Sequence, residues 1–503
     1  MTNLTQYLDL QNRLRKDKIA VKDGETTLTF GELYQQVNGI GQKIVDMEPG
    51  LFNSPIIIFS PKSVVAYCAV LGVLWSGNYY VPIDIEMPID RLKLIVSTLG
   101  ARLALTSPNG IDALNAAGFC GRTIVLDALI PLKSDVEVPT GREKILDVDP
   151  AYLLFTSGST GIPKGVVISH RAVIDYMQWQ CATLHFDEST ILANQAPFHF
   201  DASMPDIYTP LVCGATLTLL ENQRFLFPNQ LVEFLNQNQV NTLIWVPSAL
   251  MLLTAKDYFA QNTIKGLRLV MFCGEVMPTK HLNIWRKYYP DTVFVNLYGP
   301  TETAYACTYY VIDRDFPDTE PLPIGKPCQN TEILILNEWD QQVSPGETGE
   351  LCVRGSSLSL GYYGDIVKTN TAFVQSPLHT KYRDLIYRTG DLVRQNEFGE
   401  ILYVGRKDFQ IKHRGHRIEL GEIEAVAYGI AEMEQCCAVY DEEKQQIILY
   451  CVLSTGGGME KDIYMHLKKH LPIYMLPAKI QCKDTLPLNA NGKIDRLALK
   501  NQA

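Results

Sequence analysis

The chain has 503 residues, more than one hydrophobic core accommodates, so two or more domains are expected. Hydrophobic residues at 46% and charged residues at 20% give the balance of an ordinary soluble globular protein. A net charge of −10 argues against nucleic acid or an anionic membrane as the main partner.

The opening MTNLTQYLDLQ has no apolar core of the secretory type. Residues 1–27 read as a lead-in helix and a short hairpin turning at Asp23-Gly24. LTFGEL (28–33) opens a helix that runs to about Met47. Val64–Trp75 is the longest apolar run, at twelve residues too short to span a bilayer. After it, Gly77 ends the helix and a strand closes at Pro82. Between 85 and 150, RLALTS and TIVLDAL alternate with helical patterns, which argues for an α/β sheet of mostly parallel strands. Leu153, Leu154 and Phe155 read as a buried strand. Thr156, Ser157, Gly158, Ser159, Thr160 and Gly161 follow, a loop whose amides and hydroxyls suit a polyanion. Lys164 adds a point charge. This is no Walker A loop, because Pro163 precedes the lysine and Gly165 follows it.

HFDAS (199–203) precedes another helical stretch, and 241–248, 267–275 and 292–302 are apolar strands ending in polar, Gly or Pro residues. In open α/β sheets ligands gather beyond the carboxyl ends of the strands, here marked by Pro247, Gly274 and Tyr298-Gly299-Pro300. From about residue 320, TEILIL, GELCVRG, DLVRQ and ILYVG indicate a small β-rich subdomain. GRKDFQIKHRGHRIELGEIE (405–424) reads as a basic hairpin leading into an amphipathic helix of a last α+β domain. The boundary falls between 407 and 408, giving domains 1–407 and 408–503. The twelve cysteines lack metal-ligand spacing, and the one close pair, Cys436-Cys437, is adjacent. A reduced, cytoplasmic enzyme fits this usage.

TSGSTGIPKG resembles the phosphate loop of the adenylate-forming enzymes: acyl-CoA synthetases, luciferases and the amino-acid adenylation domains of nonribosomal peptide synthesis. FDAS (200–203), NLYGPTE (296–302), GELCVRG (349–355), YRTGDL (387–392), GRKDFQIKHRGHRIE (405–419) and NGKIDR (491–496) match amino-acid adenylation domains in the family's order. The resemblance implies that family's fold, a large α/β domain with a mobile α+β C-terminal domain, and implies ATP, Mg²⁺ and a carboxylate substrate. The substrate carboxylate attacks the α-phosphate, two anions must approach, and cations must stand between them.

By the same resemblance, Glu302 is the Mg²⁺ ligand, a carboxylate suited to a hard cation. Lys164 and Lys493 are the catalytic lysines, and Lys493 is the one that reaches the carboxylate and the α-phosphate together. Tyr298 stacks on adenine, or is a plain core aromatic. Asp391 binds the ribose diol. Arg406 supports that ribose or makes a structural ion pair. Gly274, Gly299 and Thr301 complete the ATP site. Asp201 pairs with a substrate α-ammonium; its alternative is a helix N-cap. Acyl-CoA synthetases have no ammonium to bind.

The implied side-chain pocket is Ala202, Pro205, Ile244 or its neighbour Trp245, Met271, Cys273, Leu297, Tyr305 and Ala306, with Asp201 and Lys493 as clamps. Its lining is apolar, and burying a charged side chain against it is costly, so a small uncharged amino acid is expected. Two subfamilies fit: prolyl-carrier ligases, favoured, and the D-alanine–carrier ligases that FCGEVMP and KDFQIKHRG resemble. Asp408 is the implied hinge, and Phe200 and Gly415 line the path of a thiol arm. The chain ends ten residues after Lys493, so the expected acceptor is a separate phosphopantetheinylated carrier protein, or CoA. A CoA synthetase and a non-catalytic nucleotide-binding relative are the competing readings.

Overall fold

A computed structural model describes residues 1–126, 144–158, 162–408, 410–454, 460–488 and 494–502. Three large sheets carry the first four-fifths of the chain. A seven-stranded sheet has Pro150–Thr156 near one edge, a nine-stranded sheet has Thr242–Trp245, Leu269–Phe272 and Val293–Tyr298 side by side, and a five-stranded sheet contains Leu385–Gln395. Beyond them lie the hairpin Gln410–His413/His416–Glu419 and a three-stranded sheet with its own apolar core.

The helix Val64–Trp75 is apolar on every side and almost wholly buried, as a helix without a polar face must be. It packs on Phe30–Met47, whose start is fixed by a capping box between Thr29 and Glu32. The two helices touch at Gly41, where a Cβ would fall 2.0 Å from the Trp75 ring. Among the described residues no helix is long and apolar enough to cross a membrane. All twelve cysteines are free.

The strands Thr242–Trp245, Leu269–Phe272 and Val293–Tyr298 are parallel to one another, as their apolar runs suggest. Several strands depart from the parallel expectation, and one of them bears on the site. Lys164–Ser169 runs antiparallel to Pro150–Thr156, because a connection this short forms a hairpin and cannot make a parallel crossover. The phosphate loop is therefore a hairpin tip, and Lys164 opens its second strand.

Candidate functional site

The carboxyl ends of the central strands meet the phosphate hairpin at Glu302. Its strand ends at Tyr298, and the 3₁₀ turn Thr301–Thr303 carries the carboxylate inward until it is fully buried. Oε1 accepts from Lys164 Nζ at 3.2 Å and from the Tyr362 hydroxyl at 2.8 Å; Oε2 accepts from Arg417 Nη1 at 2.6 Å. Burial opposes ionisation, but Arg417 and Lys164 overcome it and hold the carboxyl well below the usual range. Burial, aided by Arg417, pushes Lys164 down to about 8. A buried, ionised carboxylate that already attracts cations suits a hard divalent ion.

A second cluster surrounds Asp391. Tyr298 donates its hydroxyl to Asp391 Oδ2, and Arg406 Nη1 donates to Oδ1 at 2.7 Å. Arg406 also grips Asp408 through two nitrogens, so the structural ion pair and the contact to Asp391 coexist. Gly390 has φ +72°, and a Cβ there would stand 2.8 Å from Arg406. The Tyr298 face is covered by Lys412, its ammonium 5.1 Å from the ring centroid.

Asp201 opens the 3₁₀ turn Asp201–Ser203 and makes no side-chain cap. The helix Met204–Cys213 that follows begins after Ser203, also without a side-chain cap bond, so the N-cap alternative fails. Asp201 Oδ2 instead accepts from Thr301 Oγ1 at 2.6 Å, and burial raises its pKa. Ile244, Met271, Cys273, Leu297, Tyr305 and Ala306 belong to one buried cluster, and Ala202 packs against it; Pro205 is also buried. Trp245 lies on the other face of its strand, its indole donating to Ala193 O at 2.8 Å. Ile244 thus shares a face with Met271 and Leu297, opposite Trp245. Burial pushes the Cys273 thiol up to about 12, so it is neutral. Tyr305 is held at φ +97° after Ala304 at +55°, a strained pair whose ring lies in this buried cluster. Tyr176, absent from the sequence reading, packs edge-on against it at 5.7 Å.

The hairpin 410–419 closes the site from above. Gly415 donates its amide to Glu275 Oε1 at 2.6 Å, and Ser157 Oγ donates to Arg417 O at 2.7 Å. The His416 ring stacks on Tyr474 at 3.7 Å and meets Phe200 edge-on at 4.5 Å. Thr156, Ser157, Phe200, Asp201, Gly274, Gly299, Thr301, Asp391, Arg406, Gly415 and Arg417 line one cleft with about 70 Å³ of free space. Small-molecule sites usually have about 300–1,000 Å³. Lys493 and the tip residues Ser159, Thr160 and Gly161 lie outside the described residues. Lys412, Tyr362 and Glu275 were assigned no role from the sequence. Arg417 is 115 positions from Glu302, and no linear pattern announces that meeting.

Residues 8–363 match the family described as AMP-binding enzyme, and 422–493 match the AMP-binding enzyme C-terminal domain. The L-proline–[L-prolyl-carrier protein] ligase of Pseudomonas fluorescens is 34% identical over 493 residues, covering 96% of each chain. A D-alanine–D-alanyl carrier protein ligase of Bacillus licheniformis is 32% identical over 499 residues, covering 97% of this chain and 96% of its own. Among solved structures, holo-PA1221, a nonribosomal peptide synthetase protein with adenylation and carrier domains bound to a vinylsulfonamide inhibitor, superposes with a TM-score of 0.86. It covers 100% of this chain and 84% of its own at 23% identity, a likeness of fold.

Proposed function

The chain belongs to the AMP-binding enzyme family and is a ligase, and on that premise we propose that it adenylates a small uncharged amino acid with ATP and then loads it on the phosphopantetheine thiol of a carrier protein. The observation that carries the amino-acid reading is Asp201. It is a half-buried carboxylate in the cleft, next to Ala202 of the apolar cluster, hydrogen-bonded to Thr301 and capping nothing. A carboxylate so placed suits an α-ammonium, and a fatty or aryl acid has none to offer.

In the adenylation step Asp201 anchors the ammonium and the apolar lining receives the side chain. Lys164 takes a phosphate, Tyr298 offers its face to the base, and Asp391, braced by Arg406, accepts from the ribose hydroxyls. Glu302 fits a divalent cation by burial and ionisation; bound there, Mg²⁺ would neutralise charge building on the phosphates. Lys493 stands between carboxylate and α-phosphate. With Arg417 and Lys412 seated in the cleft, about 70 Å³ is too little for the nucleotide, so the hairpin withdraws for this step. Rotation about Asp408 then returns it, and Gly415 passes the thiol arm beside Phe200.

L-Proline is the favoured substrate, supported by the 34% relative and by a pocket narrowed by Tyr305 and Met271. D-Alanine is the second reading, favoured by Cys273 beside the pocket and by the 32% relative. Amino-acid-dependent ATP–pyrophosphate exchange, across the proteinogenic amino acids plus D-alanine, tests both. Proline or a small aliphatic amino acid should lead. Robust exchange with lysine, glutamate or another charged amino acid overturns the pocket reading.

A further inference from the structure

The transfer arrangement needs the hairpin held in the cleft, and the strongest contact holding the C-terminal part lies away from the reacting groups. Helix Ile89–Leu99 belongs to the seven-stranded layer. Its Arg91 Nη1 donates to Glu422 Oε1 on the helix Leu420–Ala427, and both side chains are buried, at 6% and 1% exposure. One position before Arg91, Asp90 Oδ2 meets His470 Nδ1 at 2.9 Å, at the end of the helix Glu460–His470. Two adjacent residues of one helix thus grip two helices of the C-terminal part.

We propose that Arg91 and Glu422 are positioning residues for the transfer half-reaction, a latch that keeps the hairpin 410–419 seated while the thiol arm attacks. The inference rests on the two-step reaction proposed above. A pair this buried resists partial opening, because removing one partner strands the other charge away from water. Rotation of the C-terminal part away from Glu302 must break the pair, since Arg91 stays with the large layer and Glu422 moves. Neither residue contacts the pocket of Asp201, so the latch acts through the hairpin alone.

The Gly415 amide is the reporter, because its Glu275 acceptor is available only when the hairpin is seated. Hydrogen exchange at that amide is measured on the whole protein without ATP, amino acid or carrier. Arg91→Met should speed it on the order of tenfold or more and slow transfer from supplied aminoacyl-adenylate, while pyrophosphate exchange is retained. The paired Arg91→Met/Glu422→Leu variant, an apolar pair in place of an ionic one, should restore slow exchange at Gly415. Should Arg91→Met fail to fold, Asp90→Asn removes the neighbouring contact to His470 and should move both readouts the same way by a smaller factor. Unchanged Gly415 exchange in a folded Arg91→Met or Asp90→Asn protein overturns the latch. The readout needs no catalysis, so absence of any amino-acid-dependent exchange in the unaltered protein would sink the proposed function and leave this test standing.

Discussion

Asp201 is the residue on which the substrate class turns. Asp201→Asn keeps the shape, and the Thr301 hydroxyl can still donate to the amide oxygen. The ammonium of the substrate then enters a semi-buried site without its counter-charge, a loss of roughly 2–5 kcal/mol. KM for the amino acid should rise far more than KM for ATP, read in pyrophosphate exchange; equal rises would make Asp201 a structural residue. His170 makes a different prediction, about stability. It begins the helix His170–Thr183, and its buried Nδ1 accepts from the Leu4 amide at 3.3 Å. Burial pushes its pKa from 6.5 to about 4. Between those values the unfolded chain binds a proton that the folded chain refuses. The contribution to stability is therefore full above pH 6.5 and lost as pH falls through 4, about 3 kcal/mol in all. His413, at about 4, and His416, at about 3, act in the same direction. His170→Asn keeps an acceptor for Leu4 and removes the titration. Denaturant unfolding at pH 7 and pH 4.5 should differ less in this variant than in the unaltered protein; an unchanged difference would contradict the assignment.

The hairpin Gln410–His413/His416–Glu419 is the element through which the two half-reactions are told apart. Its turn needs Gly415, at φ +80° with the place of a Cβ 3.0 Å from Val246. Gly415→Leu forces a bulky side chain into the thiol path, and the strained backbone cannot move it aside. Transfer to the carrier should fall by tenfold or more, on the order expected for a misplaced reacting group, with exchange kept. Loss of exchange to the same degree would contradict this. Such elements were largely legible in the sequence. Apolar runs ending in Gly or Pro located the strands 242–245, 269–272 and 293–298, and their ends located the cleft. Local chemistry fixes both. The alternation of a strand also settles Ile244 against Trp245, but only once its two packed faces are known. What stayed hidden depends on long-range packing. Lys164 looked like the end of a loop and begins an antiparallel strand. Arg417 reaches Glu302 only because a hairpin from the far end of the chain folds over the site. Tyr176 touches Tyr305 because the helix His170–Thr183 packs against the bend after the turn Thr301–Thr303, and a tyrosine at helical spacing carries no mark of that use.

At the scale of the whole molecule, the proposed reaction asks one site to serve two arrangements. The sheets and the helix Val64–Trp75 supply a rigid base, with Glu302, Asp391 and Asp201 fixed on it. The C-terminal part, seated as described, fills the cleft with Arg417 and Lys412. Arg417 pairs with Glu302, and in the proposed reaction that carboxylate is needed for a metal during adenylation, so the seated arrangement is assigned to transfer. The proposed adenylation step calls on a different cation, Lys493, to serve the substrate carboxylate and the α-phosphate. Losing a group that acts where charge concentrates costs on the order of 3–4 kcal/mol, or 10²–10³ in rate. Thioester formation starts from an adenylate already made and has no such need. The most direct test is therefore to measure both half-reactions on Lys493→Ala: pyrophosphate exchange, and transfer from supplied aminoacyl-adenylate to the carrier thiol. The two-arrangement mechanism predicts that exchange is nearly abolished while transfer persists. Loss of both activities in equal proportion, in a protein that remains folded, would contradict it.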